Sequence, residues 1–158
     1  MIIDIVSLVE RPDLLPVVAQ WQWLEWGRRQ GATVAQVAAV LRACCTAQAV
    51  PQGVVLLDGG VPAGTATLDH ADLDARPDLT PWLANVFVSP DFRGRGHAKR
   101  LVRHIEAAAR AGGIETLYLH TENATALYAG LGWSAMATAA YHGHAVTVMR
   151  RALREEAP

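Results

Sequence analysis

The chain has 158 residues, of which 51% are hydrophobic and 18% charged, so it can bury a substantial core and is not expected to be disordered. This length favours one domain, and we expect residues 1–158 to form a single unit. The formal net charge of −1 lacks the basic excess typical of nucleic-acid-binding proteins, so we expect no nucleic-acid partner.

The sequence predicts a cytoplasmic protein without a membrane partner. Polar residues interrupt every apolar stretch before it reaches membrane-spanning length, and the N-terminal MIIDIVSLVE lacks the basic region of a signal peptide. Cys44 and Cys45 are adjacent, neighbouring cysteines rarely pair with each other, and no third cysteine is present. We therefore expect two free thiols in a reducing compartment.

The first half of the sequence predicts a strand, two helices and a hairpin. Residues 2–9 are β-prone, and the helix after them has Asp13 as a candidate cap and Gly27 as its end. Thr33 is expected to cap the second helix, and Asp58-Gly59-Gly60 between two apolar runs is a strong hairpin signal. Apolar residues at helical spacing form the expected buried faces, Leu14, Val17, Val18, Trp21 and Leu24 in the first helix and Val34, Val37, Leu41 and Cys44 or Cys45 in the second.

The tryptophans of the first predicted helix point in two directions. Trp21 shares the apolar face, whereas Trp23 and Trp26 lie on another face. Aromatic residues on two faces of a helix need two covers. Substrate, a packed loop and a homodimer contact are the alternatives for the second cover.

The second half predicts four strands and two helices. Residues 82–88 form a strand that Ser89-Pro90 ends, and a helix begins at Gly96 and ends at the glycines 112–113. A strand over 114–120, a short helix over 123–132 and a hairpin around His142-Gly143-His144 complete the chain. The strand–helix–strand unit from 82 to 120 predicts a right-handed crossover between parallel strands. The fold class is therefore α/β, with a mixed, mostly antiparallel sheet of about seven strands and helices on both faces.

The sequence VSPDFRGRGHA, residues 88–98, lies between a predicted strand and a predicted helix. A basic tag, a charged surface turn and a phosphate-binding loop are the three interpretations. The first amides of a helix lack internal partners, the helix dipole makes that end partly positive, and glycines allow close approach of a ligand. The position of the turn therefore favours a phosphate or pyrophosphate site.

RGRGHA resembles the Arg/Gln-x-x-Gly-x-Gly/Ala motif of the GNAT superfamily of acetyl-CoA-dependent N-acetyltransferases. ALYAGLGW, residues 126–133, is similar to the later Leu-Tyr-x-x-x-Gly-Phe motif of the same family. One helix and one strand separate the two motifs, as in that family, and the element order resembles its fold over residues 1 to about 152. The resemblance implies a single acetyltransferase domain over residues 1–158.

The resemblance also implies acetyl-CoA as cosubstrate, no metal, and direct transfer of the acetyl group to a primary amine of a small molecule or peptide. Tyr128 matches the tyrosine that protonates the departing thiolate, a step typically worth ~10²–10⁴ in rate. The remaining implied contacts are with the cosubstrate: the amides of Arg93, Gly94, Arg95, Gly96, His97 and Ala98 hold the pyrophosphate, and the strand backbone at Val86, Phe87 and Val88 pairs with the pantetheine arm beside a splay between the central parallel strands.

Two features depart from the family pattern. Asn123 lies five residues before Tyr128, about 140° away around a helix, so we expect it to be an N-cap and not a cofactor contact. The strand 82–88 lacks the glutamate that many members use as a base. The candidates for the base are His120, Glu122, Asp69, His70, Glu25, His142 and His144. We select His120 because it ends a strand at the expected acetyl edge and its pKa suits the task.

The sequence leaves two questions open: which amine is the acceptor, and whether the protein is an enzyme or a binding module. The loop over 69–80 carries four aspartates against one arginine, so it either attracts a cationic amine or is a solvated loop. His142 and His144 are too few for zinc, and we expect no metal site. The alternative to an enzyme is a GNAT-like module that binds an acyl-CoA without turnover.

Overall fold

The computed structural model describes residues 2–153, and these form one seven-stranded sheet with the strand order β1-β2-β3-β4-β5-β7-β6. Within this range β4 and β5 run parallel and all other neighbours are antiparallel, which confirms the mixed sheet. The strands are β1 (Ile3–Ser7), β2 (Gln52–Asp58), β3 (Val61–Asp69), β4 (Trp82–Val88), β5 (Thr116–Thr121), β6 (Ser134–Tyr141) and β7 (His144–Ala152). β7 lies between β5 and β6, and the hairpin signal alone does not specify this position.

Among the described residues, four helices cover the sheet: α1 (Leu15–Gln22), α2 (Val34–Arg42), α3 (His97–Ala111) and α4 (Thr125–Gly130). α1 is preceded by a 3₁₀ turn at Pro12–Leu14 and continues as a π-helical turn at Trp23–Gly27. A 3₁₀ turn at Pro90–Phe92 links β4 to the segment before α3. The expected order of strands and helices is confirmed.

Each face of the sheet has its own core. Alternate residues of β2 point to opposite sides, so that Leu56 packs with Leu101 and Ile105 of α3, whereas Val55 packs with Val18 of α1 and Leu41 of α2. A third cluster lies where the loop before β4 covers the sheet and contains Leu73, Trp82, Val146 and Val148. Burial of each such side chain contributes roughly 1.5–3 kcal/mol, so the two layers hold the central strands from both sides.

Three local predictions about the helices are wrong. Asp13 does not cap α1 but forms an ion pair with Arg11 at 3.0 Å. Leu24 is 44% exposed because the π-helical turn rotates it away from the face that 3.6-residue spacing assigns to it. Asn123 is not the N-cap of α4; Ala124 holds that position, and its amide donates to Thr121 Oγ1 at 3.0 Å.

The cap of α2 and the hairpin between β2 and β3 are confirmed. Thr33 Oγ1 accepts from the Gln36 amide at 3.1 Å, and the Gln36 side chain accepts from the Thr33 amide at 2.8 Å. Gly59 and Gly60 both have positive φ, as a two-residue hairpin turn requires. Cys44 and Cys45 are free thiols.

Within residues 2–153, every helix falls short of the length and apolar character that a membrane crossing needs.

Candidate active site

The glycine-rich segment forms a tight turn that exposes the start of α3. Gly94 and Gly96 have φ of +78° and +79°, a conformation that side chains with a Cβ rarely adopt. Gly96 is the N-cap of α3, and the first intrahelical bond runs from the Arg100 amide to the Gly96 carbonyl at 3.2 Å. The amides of residues 97–99 therefore have no intrahelical acceptor and make this end of α3 partly positive, which suits an anion.

Asp58 at the end of β2 anchors this turn from beneath. Its Oδ2 accepts from His97 Nε2 at 2.9 Å and from Arg95 Nη1 at 3.1 Å. Arg100 Nη1 donates to the Arg95 carbonyl at 2.6 Å and lies 3.0 Å from His97 Nδ1. The hydrogen bond from His97 is the largest cause that holds the pKa of the buried Asp58 carboxyl below its usual range. Sequence analysis assigned Asp58 only to the hairpin turn, so its role beneath the glycine turn was not predicted.

β4 contains a bulge that sequence analysis did not foresee. Thr65 faces Phe87 and Thr67 faces Ala84, so one residue of β3 lies opposite two of β4, Asn85 and Val86. Asn85 has a φ of 56°, and its Nδ2 donates to Thr67 Oγ1 at 3.1 Å. An asparagine tolerates this left-handed conformation better than most residues do, which is the only sequence signal for the bulge.

The two central strands separate beyond the start of β4. Among the described residues, β4 and β5 pair at one position, Trp82 with Tyr118, and then diverge toward their carboxyl ends. The bulge and the residues 86–88 lie along this opening, and Val86 and Val88 pack beside the core under α3. The turn before α3 follows the same end of β4, so the glycine turn and the opening between β4 and β5 are adjacent.

Tyr128 lies on the α3 face of the sheet. It is 8% exposed, packs in the same core as Leu101 and Leu119, and meets the Trp133 ring edge-on at 6.3 Å between centroids. Burial raises the pKa of Tyr128 to about 12, so its phenol stays protonated at neutral pH.

His120 lies on the opposite face of the sheet, because its neighbour Leu119 on β5 faces the α3 core. Its ring is 4.6 Å from that of Tyr141 and 6.0 Å from that of Trp82, between centroids. Its Nε2 lies 2.9 Å from Asp72 Oδ2, an ion-pair distance without the alignment of a hydrogen bond. Burial raises the pKa of the Asp72 carboxyl, against the opposing effect of His120.

The surroundings of His120 are anionic. The pKa of Tyr141 is raised, first by burial and further by the carboxylates of Asp72, Asp74 and Glu122. Gln30 Nε2 donates to Tyr141 Oη at 3.2 Å, so the segment before α2 reaches over to the β6–β7 hairpin here. Asp72 and Asp74 belong to the loop before β4, so this loop contributes carboxylates beside His120.

The other candidate bases are placed less favourably. Asp69 accepts from the His70 amide at 2.7 Å, and its Oδ2 lies 3.8 Å from Cys44 Sγ. Burial, followed by the charge of Asp69, raises the pKa of the Cys44 thiol to about 12, so this thiol is not a nucleophile at neutral pH. The remaining candidates are exposed: Glu25, His70, Glu122, His142 and His144. Residues 2–153 hold no group of three or more His, Cys, Asp or Glu side chains arranged for a metal ion.

A cavity of about 730 Å³ lies between β1 and α3, apart from the opening between β4 and β5. It is lined by Ile3, Ile5, Gly96, Lys99, Arg100, Arg103 and His104, so it touches the glycine turn at Gly96 but neither Tyr128 nor His120. The opening between β4 and β5, in contrast, runs along residues 86–88 and is adjacent to the glycine turn.

The model of the acetyltransferase (GNAT) family matches residues 15–133, a range that contains the glycine turn and Tyr128. The fold is similar to an aminoglycoside 6′-N-acetyltransferase complexed with coenzyme A, with a TM-score of 0.78 and 15% identity over 100% of both chains. It is also similar to the aminoglycoside 6′-N-acetyltransferase from Enterococcus faecium (TM-score 0.75, 15% identity, 100% of both chains). Ard1 from Thermoplasma volcanium has a TM-score of 0.76 and 14% identity over 98% of this chain and 100% of its own. A search of curated proteins found no match to the sequence.

Proposed function

We propose, from the premise that this chain belongs to the GNAT family of acetyl-CoA-dependent N-acetyltransferases, that it transfers the acetyl group directly to a primary amine of a small molecule or peptide. The observation that carries the proposal is the positive-φ glycine turn at the start of α3, adjacent to a bulged β4 that diverges from β5. We also propose that residues 1–158 form a single domain of this kind.

The amides of Arg93 through Ala98 hold the pyrophosphate of acetyl-CoA in this proposal. The support is the start of α3, where the first amides have no intrahelical acceptor, and the hydrogen bonds from the Arg95 and His97 side chains to Asp58, which hold the turn in place. The pantetheine arm then lies along residues 86–88, in the opening between β4 and β5. Amides near Val86 are available there for the oxyanion that forms as the amine attacks.

Tyr128 is the proposed acid and His120 the proposed base. They lie on opposite faces of the sheet, and the opening between β4 and β5 gives a thioester access to both sides. The amine nitrogen attacks the carbonyl carbon, the C–S bond breaks, and Tyr128 Oη protonates the departing thiolate. Asp72 beside Nε2 favours a proton on that nitrogen, which leaves Nδ1 to accept the proton of the attacking amine. One proton passed from His120 to the tyrosinate restores both groups.

The acceptor proposed is a cationic amine. Asp72, Asp74 and Glu122 surround Tyr141 and His120, and carboxylates attract a cation to this end of the cleft. Two of the similar structures are aminoglycoside 6′-N-acetyltransferases, so aminoglycosides are one class of acceptor to test.

The test is release of the CoA thiol in the presence of a panel of amines, with the N-acetyl product identified by mass spectrometry. Turnover with an amine, absent without it, supports the enzyme. Tight acetyl-CoA binding without turnover of any amine contradicts it and favours the non-catalytic acyl-CoA-binding module. Thermal-shift measurements with CoA esters show whether the protein binds them, because a bound ligand raises the Tm.

A further inference from the structure

Glu106 lies in the middle of α3 and is 3% exposed, yet it does not belong to the glycine turn, the bulge or the His120 environment. A buried carboxylate is costly unless other groups compensate its charge. Arg103 Nη1 donates to Glu106 Oε1 at 2.8 Å, and Arg151 Nε lies 3.3 Å from Oε2. Glu106 therefore lies between two guanidinium groups, and the one from Arg151 joins α3 to β7.

The second oxygen of Glu106 also holds the residue that packs against the proposed acid. Trp133 Nε1 donates to Glu106 Oε2 at 3.0 Å in a buried hydrogen bond. The Trp133 ring meets Tyr128 edge-on, and the Trp133 amide donates to the Tyr128 carbonyl at 3.0 Å. The side chain and the backbone of Trp133 thus both restrain Tyr128.

The Arg151 guanidinium, which pairs with Glu106, also restricts the turn between Tyr128 and Trp133. Gly132 has a φ of +96°, and the Arg151 guanidinium occupies the space that a Cβ at this position would need. α4 has only six residues, so tertiary contacts and not helix propensity must set its direction. The Glu106 cluster, which we define as Glu106, Arg103, Trp133 and Arg151, supplies such contacts.

From this geometry we infer that Glu106 is a positioning residue for Tyr128. The inference rests on the proposed function, since it requires Tyr128 to be the acid. α3 then performs two tasks: its first turn binds the pyrophosphate, and Glu106 sets where the phenol stands relative to the sulfur of the same cosubstrate. A small displacement of Tyr128 lowers the rate of proton transfer without changing the pyrophosphate contacts.

Glu106→Gln and Trp133→Phe test the inference, the first by removing the charge and the second by removing the indole N–H together with part of the ring. We expect each to lower kcat by about five- to tenfold and to leave the Kd of acetyl-CoA unchanged within about twofold. Ala109→Gly is the matched control, because it weakens the same helix at a buried position outside the Glu106 cluster. Its kcat at a temperature well below unfolding should equal that of the wild type.

The deciding measurement is a double-mutant cycle with Tyr128→Phe. If Glu106 acts through Tyr128, Glu106→Gln lowers kcat in the wild-type background but not in the Tyr128→Phe background. An equal loss in both backgrounds, or a loss matched by Ala109→Gly, overturns the positioning role and leaves the acid role of Tyr128 intact. A fully active Tyr128→Phe enzyme overturns the acid role itself and the inference with it.

Discussion

Asn85 and Thr67 form a hydrogen bond across the bulge of β4, from Asn85 Nδ2 to Thr67 Oγ1 at 3.1 Å. The Thr67 hydroxyl in turn donates to the Ala84 carbonyl at 3.0 Å, and Thr67 is fully buried. The Thr67 hydroxyl thus links β3 to Ala84 and Asn85, where β4 departs from regular strand pairing. The shape of the strand that is proposed to bind the thioester depends on this pair.

Thr67→Val should impair acetyl transfer, because the methyl group that replaces the hydroxyl leaves the Asn85 amide unpaired at the bulge. Loss of a buried hydrogen-bond partner costs about 1–3 kcal/mol of folding free energy. Thr65→Val is the matched control, since Thr65 is equally buried and its hydroxyl donates to the Val54 carbonyl at 2.8 Å, away from the bulge. We expect similar losses in thermal stability from both, with a fall in kcat/KM confined to Thr67→Val. Equal activity of the two variants would exclude a role for the bulge.

Gly96→Val should abolish acetyl-CoA binding while the fold survives. The side chain would stand at the start of α3 in a left-handed conformation, over the amides proposed to hold the pyrophosphate. Gly60→Val is the control, because Gly60 has φ of +81° in a hairpin with no neighbour within 4 Å of its Cβ position. Both changes carry the strain of a positive φ, about 1–3 kcal/mol. Isothermal titration with acetyl-CoA should show binding only for Gly60→Val, and retained affinity in Gly96→Val would refute the pyrophosphate site.

Tyr128→Phe should lower kcat at least tenfold and preserve the Kd of acetyl-CoA, because it removes the acid and keeps the ring. Tyr118→Phe is a control on the other face of the sheet, where Tyr118 packs near Trp82. Steady-state kinetics and titration with acetyl-CoA make the comparison. A loss of similar size in Tyr118→Phe would show that the effect is not specific to the proposed acid.

Turns, helix caps and buried helix faces could be predicted from the sequence, because their signals lie within a few residues of each other. The hairpin glycines 59 and 60 and the turn glycines Gly94 and Gly96 have positive φ, and Thr33 caps α2, so each could be recognised within a few residues. The buried side of the second helix likewise follows from the helical spacing of Val37 and Leu41. These features require no knowledge of the neighbouring strands.

The features that sequence analysis missed depend on residues far apart in the chain. Asp58 and His97 are 39 positions apart, and Glu106 and Trp133 are 27 apart, so no local pattern pairs them. The place of β7 between β5 and β6 is likewise a matter of strand pairing that a hairpin signal leaves undecided. Where local reasoning failed, as with Asp13, a nearer partner competed for the side chain: Arg11 takes the carboxylate.

The Asp58 network predicts a pH dependence of stability. The pKa of Asp58 is lowered in the folded protein, mainly by its hydrogen bond from His97, so the carboxylate stabilises the fold above its ordinary pKa of about 3.9. That stabilisation is lost as the pH falls through the lowered value. Wild type should therefore exceed Asp58→Asn in Tm above about pH 5, and the difference should narrow below about pH 4.

Asp78→Asn controls for this experiment, because the pKa of Asp78 is also lowered but its partner is Arg76 in an exposed pair. Exposed pairs contribute little to stability because solvent screens them, so the Tm of Asp78→Asn should follow the wild type closely. Asp58→Asn should also weaken acetyl-CoA binding, since Arg95 and His97 lose their anchor. Wild-type affinity in Asp58→Asn would show that the glycine turn holds its shape without Asp58.

The anionic environment of His120 predicts a preference for cationic acceptors that salt weakens. Asp72 and Asp74 lie on the loop before β4, and both act on Tyr141 next to His120. They attract a protonated amine, but they also favour its protonated form, which cannot attack until a base removes the proton. We therefore expect polycationic amines to have higher kcat/KM than neutral or anionic amines of equal size at low salt. The advantage should shrink as the Debye length falls to about 10 Å near 0.1 M salt.

Asp74→Asn separates this electrostatic effect from the shape of the loop, because Asp74 is exposed and close enough to Tyr141 to raise its pKa. It should lower kcat/KM for a polycationic acceptor roughly two- to fivefold at low salt, the range of one partly screened charge pair. Asp78→Asn, on the same loop but paired with Arg76, should leave it unchanged. The loop is not a recognition element if neutral or acidic acceptors are preferred at low salt. The acceptor would then be sought beside Trp23 and Trp26 in the π-helical turn.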